Sequence, residues 1–329
     1  MPKEIRRKTV ELHAHLGSAV NPAILWTIAH RQGIKLPTKD YWEFEEMITM
    51  RGNERNKNLK DMHNNFFHWT ELIQSSPEAI EQSIQSVFCG GYRKCNLVVQ
   101  ELRFNPMFRN HSGEKDLDHI IMASIWGMDR AKLEFPEIKA GIILMMDRNL
   151  SFKQNEIILE KAIRYKIAGV VGIDLAGPEN KNFDMKKHKV LFEKARKAGL
   201  GVTIHSGEVG SLEELRYVVN EIKPNRIGHG ILCVKDKKIM EKIVENNITL
   251  EICPSSNLYN SVVKNIGELK KIIKTLQNNK VKFTINTDGS EMYDTSLYKE
   301  QELLMKNKIL NKKEIEKSTE WAFEASFIK

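Results

Sequence analysis

The chain has 329 residues, 41% of them hydrophobic and 29% charged, enough for one large core or two ordinary ones. The longest apolar run beside a strand, Ile142 to Met146, is far too short to span a membrane, and Met1-Pro2-Lys3-Glu4 begins no apolar signal region, so a cytoplasmic protein with no membrane contact is expected. A net charge of +8 would suit nucleic acid, but the lysine runs at 186–189 and 235–238 read as solvated helix faces, and with no zinc finger, aromatic RNA-binding segment or basic tail no nucleic-acid partner is expected.

The first predicted strand ends in Thr9-Val10-Glu11-Leu12-His13-Ala14-His15-Leu16-Gly17-Ser18. Alternate side chains of a strand share a face, so His13 and His15 point the same way and can hold one ion between two imidazoles. From Asn21 to Cys95 the pattern is helical and irregular. In a barrel this connection lies over the C-terminal mouth of the strands. Its aromatic clusters, Tyr41-Trp42-Glu43-Phe44 and Phe66-Phe67-His68-Trp69, suit either an apolar lid or the packing of an inserted helical subdomain. His63, His68 and His111 have no partner at ligand spacing and receive no role.

After Cys95 strands and helices alternate. Strand Leu97–Phe104 is followed by helix Leu117–Leu133, strand Ala140–Met146, helix Asn155–Ile167, strand Gly169–Leu175 and helix Lys187–Ala198, which stops at Gly199. Strand Val202–His205 comes next. Helix Leu212–Ile222 opens on a capping box, Ser211 with Glu214, and buries Leu212, Leu215, Val219 and Ile222 on one stripe. Strand Arg226–His229, helix Lys237–Glu245, strand Ile248–Cys253, helix Gly267–Gln277 and strand Val281–Thr287 complete the series. Cys89, Cys95, Cys233 and Cys253 form no C-x-x-C pair and read as small buried side chains.

Eight strands, each separated from the next by helix, imply parallel neighbours and a closed sheet. The expected fold is α/β, a (β/α)8 TIM-type barrel, forming a single domain over 1–329 with a helical insertion at about 21–95. Polar residues collect at strand ends, where barrel enzymes keep their chemistry. His205 ends the fifth strand in His205-Ser206-Gly207-Glu208, His229 the sixth in Gly228-His229-Gly230, and Asp288 the eighth in Asn286-Thr287-Asp288-Gly289. Imidazoles and a carboxylate with one position left for water match a catalytic zinc site. Such a site needs a neighbouring base, and Glu208 suits that shuttle, while His229 either binds metal or hydrogen-bonds the hydroxide. Gly172, Gly177 and Gly207 would let a flat ring approach main-chain atoms.

The ordered set E-L-H-A-H-L, G-I-D-L-A-G, H-S-G-E, R-I-G-H-G, C-P-S-S-N and N-T-D resembles the adenosine deaminase family of the amidohydrolase superfamily, from Glu11 to the closing Glu324-Ala325-Ser326-Phe327. The resemblance implies a (β/α)8 barrel with one zinc held by His13, His15, His205 and Asp288. It further implies that Glu208 carries the proton to a ring nitrogen, His229 orients a zinc hydroxide, and the Gly177 main chain meets the purine. Hydroxide attack at the amino-bearing carbon would then release ammonia from a small-molecule substrate.

Two positions depart from the family pattern. Members acting on adenosine usually carry Asp where this chain has Gly17, reaching the ribose 5′-hydroxyl, and Asp-Asp-Pro where it has Asp288-Gly289-Ser290, the second Asp meeting purine N7. Both are substrate contacts, which points to a working deaminase with an altered pocket and favours a 5′-modified adenosine. Two rivals stand beside it: another metal-dependent cyclic amide or ester hydrolase on this scaffold, and a catalytically silent nucleoside-binding protein. The cytidine-deaminase signatures and the phosphate-binding glycine loops are absent.

Overall fold

The computed structural model describes residues 7–52, 66–109, 116–178 and 182–329. Eight parallel strands lie in chain order in one sheet: β1 Thr9–His15, β2 Leu97–Phe104, β3 Lys139–Asp147, β4 Val170–Ala176, β5 Gly201–Ser206, β6 Arg226–His229, β7 Thr249–Ile252 and β8 Phe283–Ile285. The helices between them cover the outer face, and both faces of the sheet are buried, which is why the strands read as nearly continuous apolar runs. Among the described residues no helix is long and apolar enough to cross a membrane.

The barrel closes by an irregular seam. β8 is shorter than its apolar run suggests, and side chains finish the pairing to β1: Asn286 Oδ1 accepts from Leu12 N at 3.2 Å, and Glu11 accepts from Thr287 N at 3.1 Å. Beyond them two backbone bonds resume the ladder, Asp288 N to His13 O at 2.9 Å and His15 N to Asp288 O at 2.8 Å. The last of the four expected donors is thereby fixed against the first two.

Between β1 and β2 lie helices Pro22–Arg31, Tyr41–Met47, His68–Ile73 and Pro77–Cys95. Phe44 is fully buried with its ring 5.4 Å from Trp26, and Trp42 is 71% exposed, so the first aromatic cluster serves packing within the insertion. The second reaches the active-site cavity through Phe67. His63 and His111 lie outside the described residues. Helix Leu212–Tyr217 passes into a π-turn over Val218–Ile222, a break its hydrophobic stripe did not reveal. Ser211 does cap it, accepting from Glu214 N at 3.1 Å, but the Glu214 carboxylate is turned to Arg148 and Ser206, which accounts for it better than a capping box. All four cysteines are buried and unbridged.

At the opposite end of the barrel the chain's last residues form the floor. The Phe327 ring lies where a Cβ on Gly172 or Gly201 would otherwise be, 2.8 and 2.2 Å away. Gly172 thus does admit a flat ring, but that ring is Phe327 and not a ligand. Gly207 is likewise spoken for, its missing Cβ facing Leu215 at 2.8 Å.

Candidate active site

Four side chains meet at the C-terminal mouth. His15 Nε2 and His205 Nε2 are 3.1 Å apart, and Asp288 Oδ1 lies 3.3 Å from His15 Nε2 and 3.5 Å from His13 Nε2. These spacings are close to the roughly 3.4 Å edge of a tetrahedron with arms of about 2.1 Å. His13 Nε2 is wholly buried and makes no hydrogen bond, an expensive condition for a ring nitrogen unless something else takes its lone pair. The donor set therefore fits a divalent ion. Cys253 also approaches His13, His229 and Asp288, but burial holds its thiol well above the usual range, so it offers a neutral S–H and a poor ligand.

Carboxylates behind the rings fix which nitrogen faces the centre. His13 Nδ1 donates to Glu251 Oε2 at 2.7 Å, and His205 Nδ1 to Asp174 Oδ2 at 3.0 Å, so each Nε2 presents its lone pair. Arg103, fully buried, joins the two carboxylates: Nη1 lies 3.0 Å from Asp174 and Nη2 3.0 Å from Glu251. Burial alone would raise both acids, but His205 and Arg103 hold Asp174 far below the carboxylate range, and Arg103 and Arg226 do the same for Glu251. Arg226 extends the network downward, with Nε 2.6 Å from Glu251, Nη2 on Glu101, and its guanidinium 3.6 Å from the Phe327 ring centre. No local motif marks these partners, which come from different strands. A charge inside an apolar strand run looks like an error of pattern until its counter-charge on another strand is known.

The C-P-S-S-N motif also acquires a purpose. Its short helix, Pro254–Tyr259, places Ser256 Oγ 2.5 Å from Asp288 Oδ2 and Asn257 Nδ2 3.0 Å from His229 Nδ1. The Asn257 amide donates, so the His229 proton sits on Nε2, which lies 3.8 Å from Glu208 Oε2 and 4.0 Å from Asp288 Oδ2. Burial keeps His229 and His15 well below the ordinary imidazole value, hence neutral. The same burial pushes the Glu208 carboxyl up to about 8, with the Asp288 charge adding to it and His205 and Arg148 opposing. Against burial, the neighbouring His13 imidazole holds the Asp288 carboxyl well below the usual carboxylate range. His229 and Asp288 both adopt the left-handed backbone, at φ 60° and 62°, an uncommon conformation for such residues that the flanking turns enforce.

A cavity opens from this centre. Gly17, Phe67, Arg109, Asp147, Gly177 and Glu208 are among its lining. Gly177, at φ 85°, is held by Arg148, whose Nη1 donates to its carbonyl at 3.1 Å while Nη2 reaches His205 O at 2.7 Å and Glu214 at 2.6 Å. A side chain at 177 would collide with the Asp147 carboxylate, 2.6 Å from the missing Cβ. Gly289 is not part of the lining, because the place of its Cβ is taken by Ser18, whose Cβ and Oγ lie 2.6 Å away.

The adenosine deaminase family model matches residues 8–329. An adenosine deaminase of Clostridium kluyveri is 30% identical over 317 residues, covering 96% of this chain and 88% of that protein. Among solved structures, one described as the ADAL–IMP complex superposes with a TM-score of 0.84 at 25% identity, covering 98% of this chain and 92% of the other. The Arabidopsis N6-mAMP deaminase MAPDA gives 0.83 at 24% identity over 98% and 94%.

Proposed function

The chain belongs to the adenosine deaminase family of hydrolytic, C–N bond-cleaving deaminases, and from that premise we propose that it replaces the amino group of an adenine-type nucleoside, or of a 5′-substituted derivative, by oxygen, with release of ammonia. His13, His15, His205 and Asp288 would hold a single zinc ion. When bound, such an ion acidifies water toward neutrality and stabilises charge on the adding oxygen. The observation that carries the reading is the carboxyl of Glu208, pushed up to about 8 by burial and lining one cavity with His15, His205 and Asp288.

The chain's own groups then divide the work. Glu208 gives its proton to the ring nitrogen beside the amino-bearing carbon as oxygen adds to that carbon, and recovers one from the adding water. His229 Nε2–H donates to the adding oxygen and keeps it aimed, because Asn257 fixes the ring's tautomer. The amino nitrogen takes up the recovered proton, the C–N bond breaks as the added oxygen forms a carbonyl and returns its remaining proton to Glu208, and one water has been exchanged for one ammonia. The Gly177 main chain supports the flat ring, and Arg148 keeps that turn in register with the end of β5.

One similar structure is described as a complex with IMP, a deaminated purine nucleotide, which makes nucleoside 5′-monophosphates part of the test. The experiment is ammonia release by zinc-loaded protein from adenine, adenosine, AMP and 5′-modified adenosines, with bound metal measured in parallel. Turnover of at least one, reduced about 10²- to 10⁴-fold in Glu208→Gln at unchanged metal content, is expected. Silence across the panel with metal bound would overturn the substrate assignment.

A further inference from the structure

The cavity holds a charge that the proposed reaction does not use. Arg109 lines it, is 2% exposed, and has neither its Nε nor its Nη1 in a hydrogen bond. A guanidinium is a fork of five donors that stays protonated, so burying it with two nitrogens unsatisfied is costly unless a ligand completes it. The acid that acts on it is Glu71, which forms no ion pair with it within 4.0 Å among the described residues. Burial also pushes the Glu71 carboxyl up, against the pull of Arg109, and Asp147 adds to that push, so Glu71 is an incomplete counter-charge.

Gly17 removes the other natural partner. A Cβ there would lie 3.5 Å from Arg109 Nη2 and 2.9 Å from the Phe67 ring, so a short acidic side chain at 17 would meet the guanidinium directly. With glycine in place, the guanidinium borders the cavity shared with Glu208 and Gly177, its Nη2 edge beside the space at 17 and its Nε and Nη1 sealed behind it. We propose that Arg109 receives an oxyanion, phosphate or carboxylate, carried on the sugar side of the nucleoside remote from the reacting carbon, so that the substrate is an anionic sugar-substituted adenosine. This rests on the deaminase reading above. A planar fork pairing with two oxygens of one group gives both affinity and orientation.

The test measures kcat/KM for adenosine, 5′-AMP, 3′-AMP and 5′-thioadenosines bearing a neutral methyl or a carboxymethyl group. The wild-type protein should prefer an anionic member over its neutral counterpart, and the phosphate and carboxymethyl arms identify which oxyanion. Arg109→Gln should reduce that preference about 10- to 100-fold. Because loss of a buried arginine can impair folding, Gly17→Asp provides a second route. It supplies the guanidinium with an internal carboxylate, and with the Phe67 ring displaced it should also shift preference toward the neutral nucleoside. An anionic-to-neutral ratio unchanged in both variants would overturn the inference while leaving the deaminase intact. If no purine releases ammonia, calorimetric binding of IMP against inosine decides: an Arg109-dependent preference for IMP upholds the anion site, and equal binding removes it.

Discussion

Arg103 stands 3.0 Å from Glu251 through one guanidinium nitrogen, and through the other it holds the acid that orients His205. One buried cation thus sets the orientation of two imidazoles on strands that do not touch. Asp174→Asn and Glu251→Gln each remove one arm. Each should lower metal affinity about 10- to 100-fold in a chelator competition, by the usual effect of losing such a partner. Unchanged affinity in both would show that the imidazoles are held by packing alone.

Asn257 governs a proton rather than a ligand. Asn257→Ala leaves His229 Nδ1 without its donor, so the ring can place its proton on the wrong nitrogen. The expected outcome is a fall in kcat of about 100-fold with metal content retained and KM little moved. A change in KM alone would assign Asn257 to the pocket wall.

Glu300 accepts from Ser255 N at 3.0 Å at the start of the helix that carries Ser256 and Asn257, and from Thr295 Oγ1 at 2.6 Å. Burial pushes its carboxyl from an ordinary 4.5 up to about 7, outweighing those bonds. A raised acid favours the folded state while protonated. Its contribution is complete below pH 4.5 and is lost as the pH rises through 7, a difference of about 3 kcal/mol. Urea unfolding of the wild type should therefore weaken between pH 5 and 8 by more than that of Glu300→Gln. Parallel profiles would show that the carboxyl ionises without cost.

Gly289→Asp, the change that the family pattern suggests, meets Ser18 at 2.6 Å. Overpacking of this kind costs about 1–3 kcal/mol, and the double variant Ser18→Gly with Gly289→Asp should recover most of it. Thermal melts of the two singles and the double form the cycle. Additive losses would mean that the two positions do not share the space.

The order of strands and their crossovers was legible because the alternation of apolar runs with helical periods is local, and the proposed donors sit where those runs end. What sequence could not show depends on pairs far apart in the chain. Arg103 with Asp174 and Glu251, or Arg226 with Glu101, reads as polar residues lost in strands until the barrel brings them together. Gly289 illustrates the reverse: the sequence shows a missing carboxylate, and only the fold shows Ser18 in its place. Gly172 does meet a flat ring, but at the end of the barrel away from the proposed donors, because a strand's two ends look alike before its register is known.

The floor built by the chain's last residues imposes an order of events during synthesis. Ser326 Oγ and Phe327 N both donate to Glu101, at 2.8 and 2.6 Å, and Phe327 covers Arg226. Glu101 leaves the ribosome more than two hundred residues before these partners. Until residue 327 emerges, the nascent barrel carries an uncovered ion network at its base, linked through Glu251 to His13, the first of the proposed donors. The proposed donors therefore gain the full support of that network only once Ser326 and Phe327 have been made, and a product cut before them leaves the base of the barrel exposed.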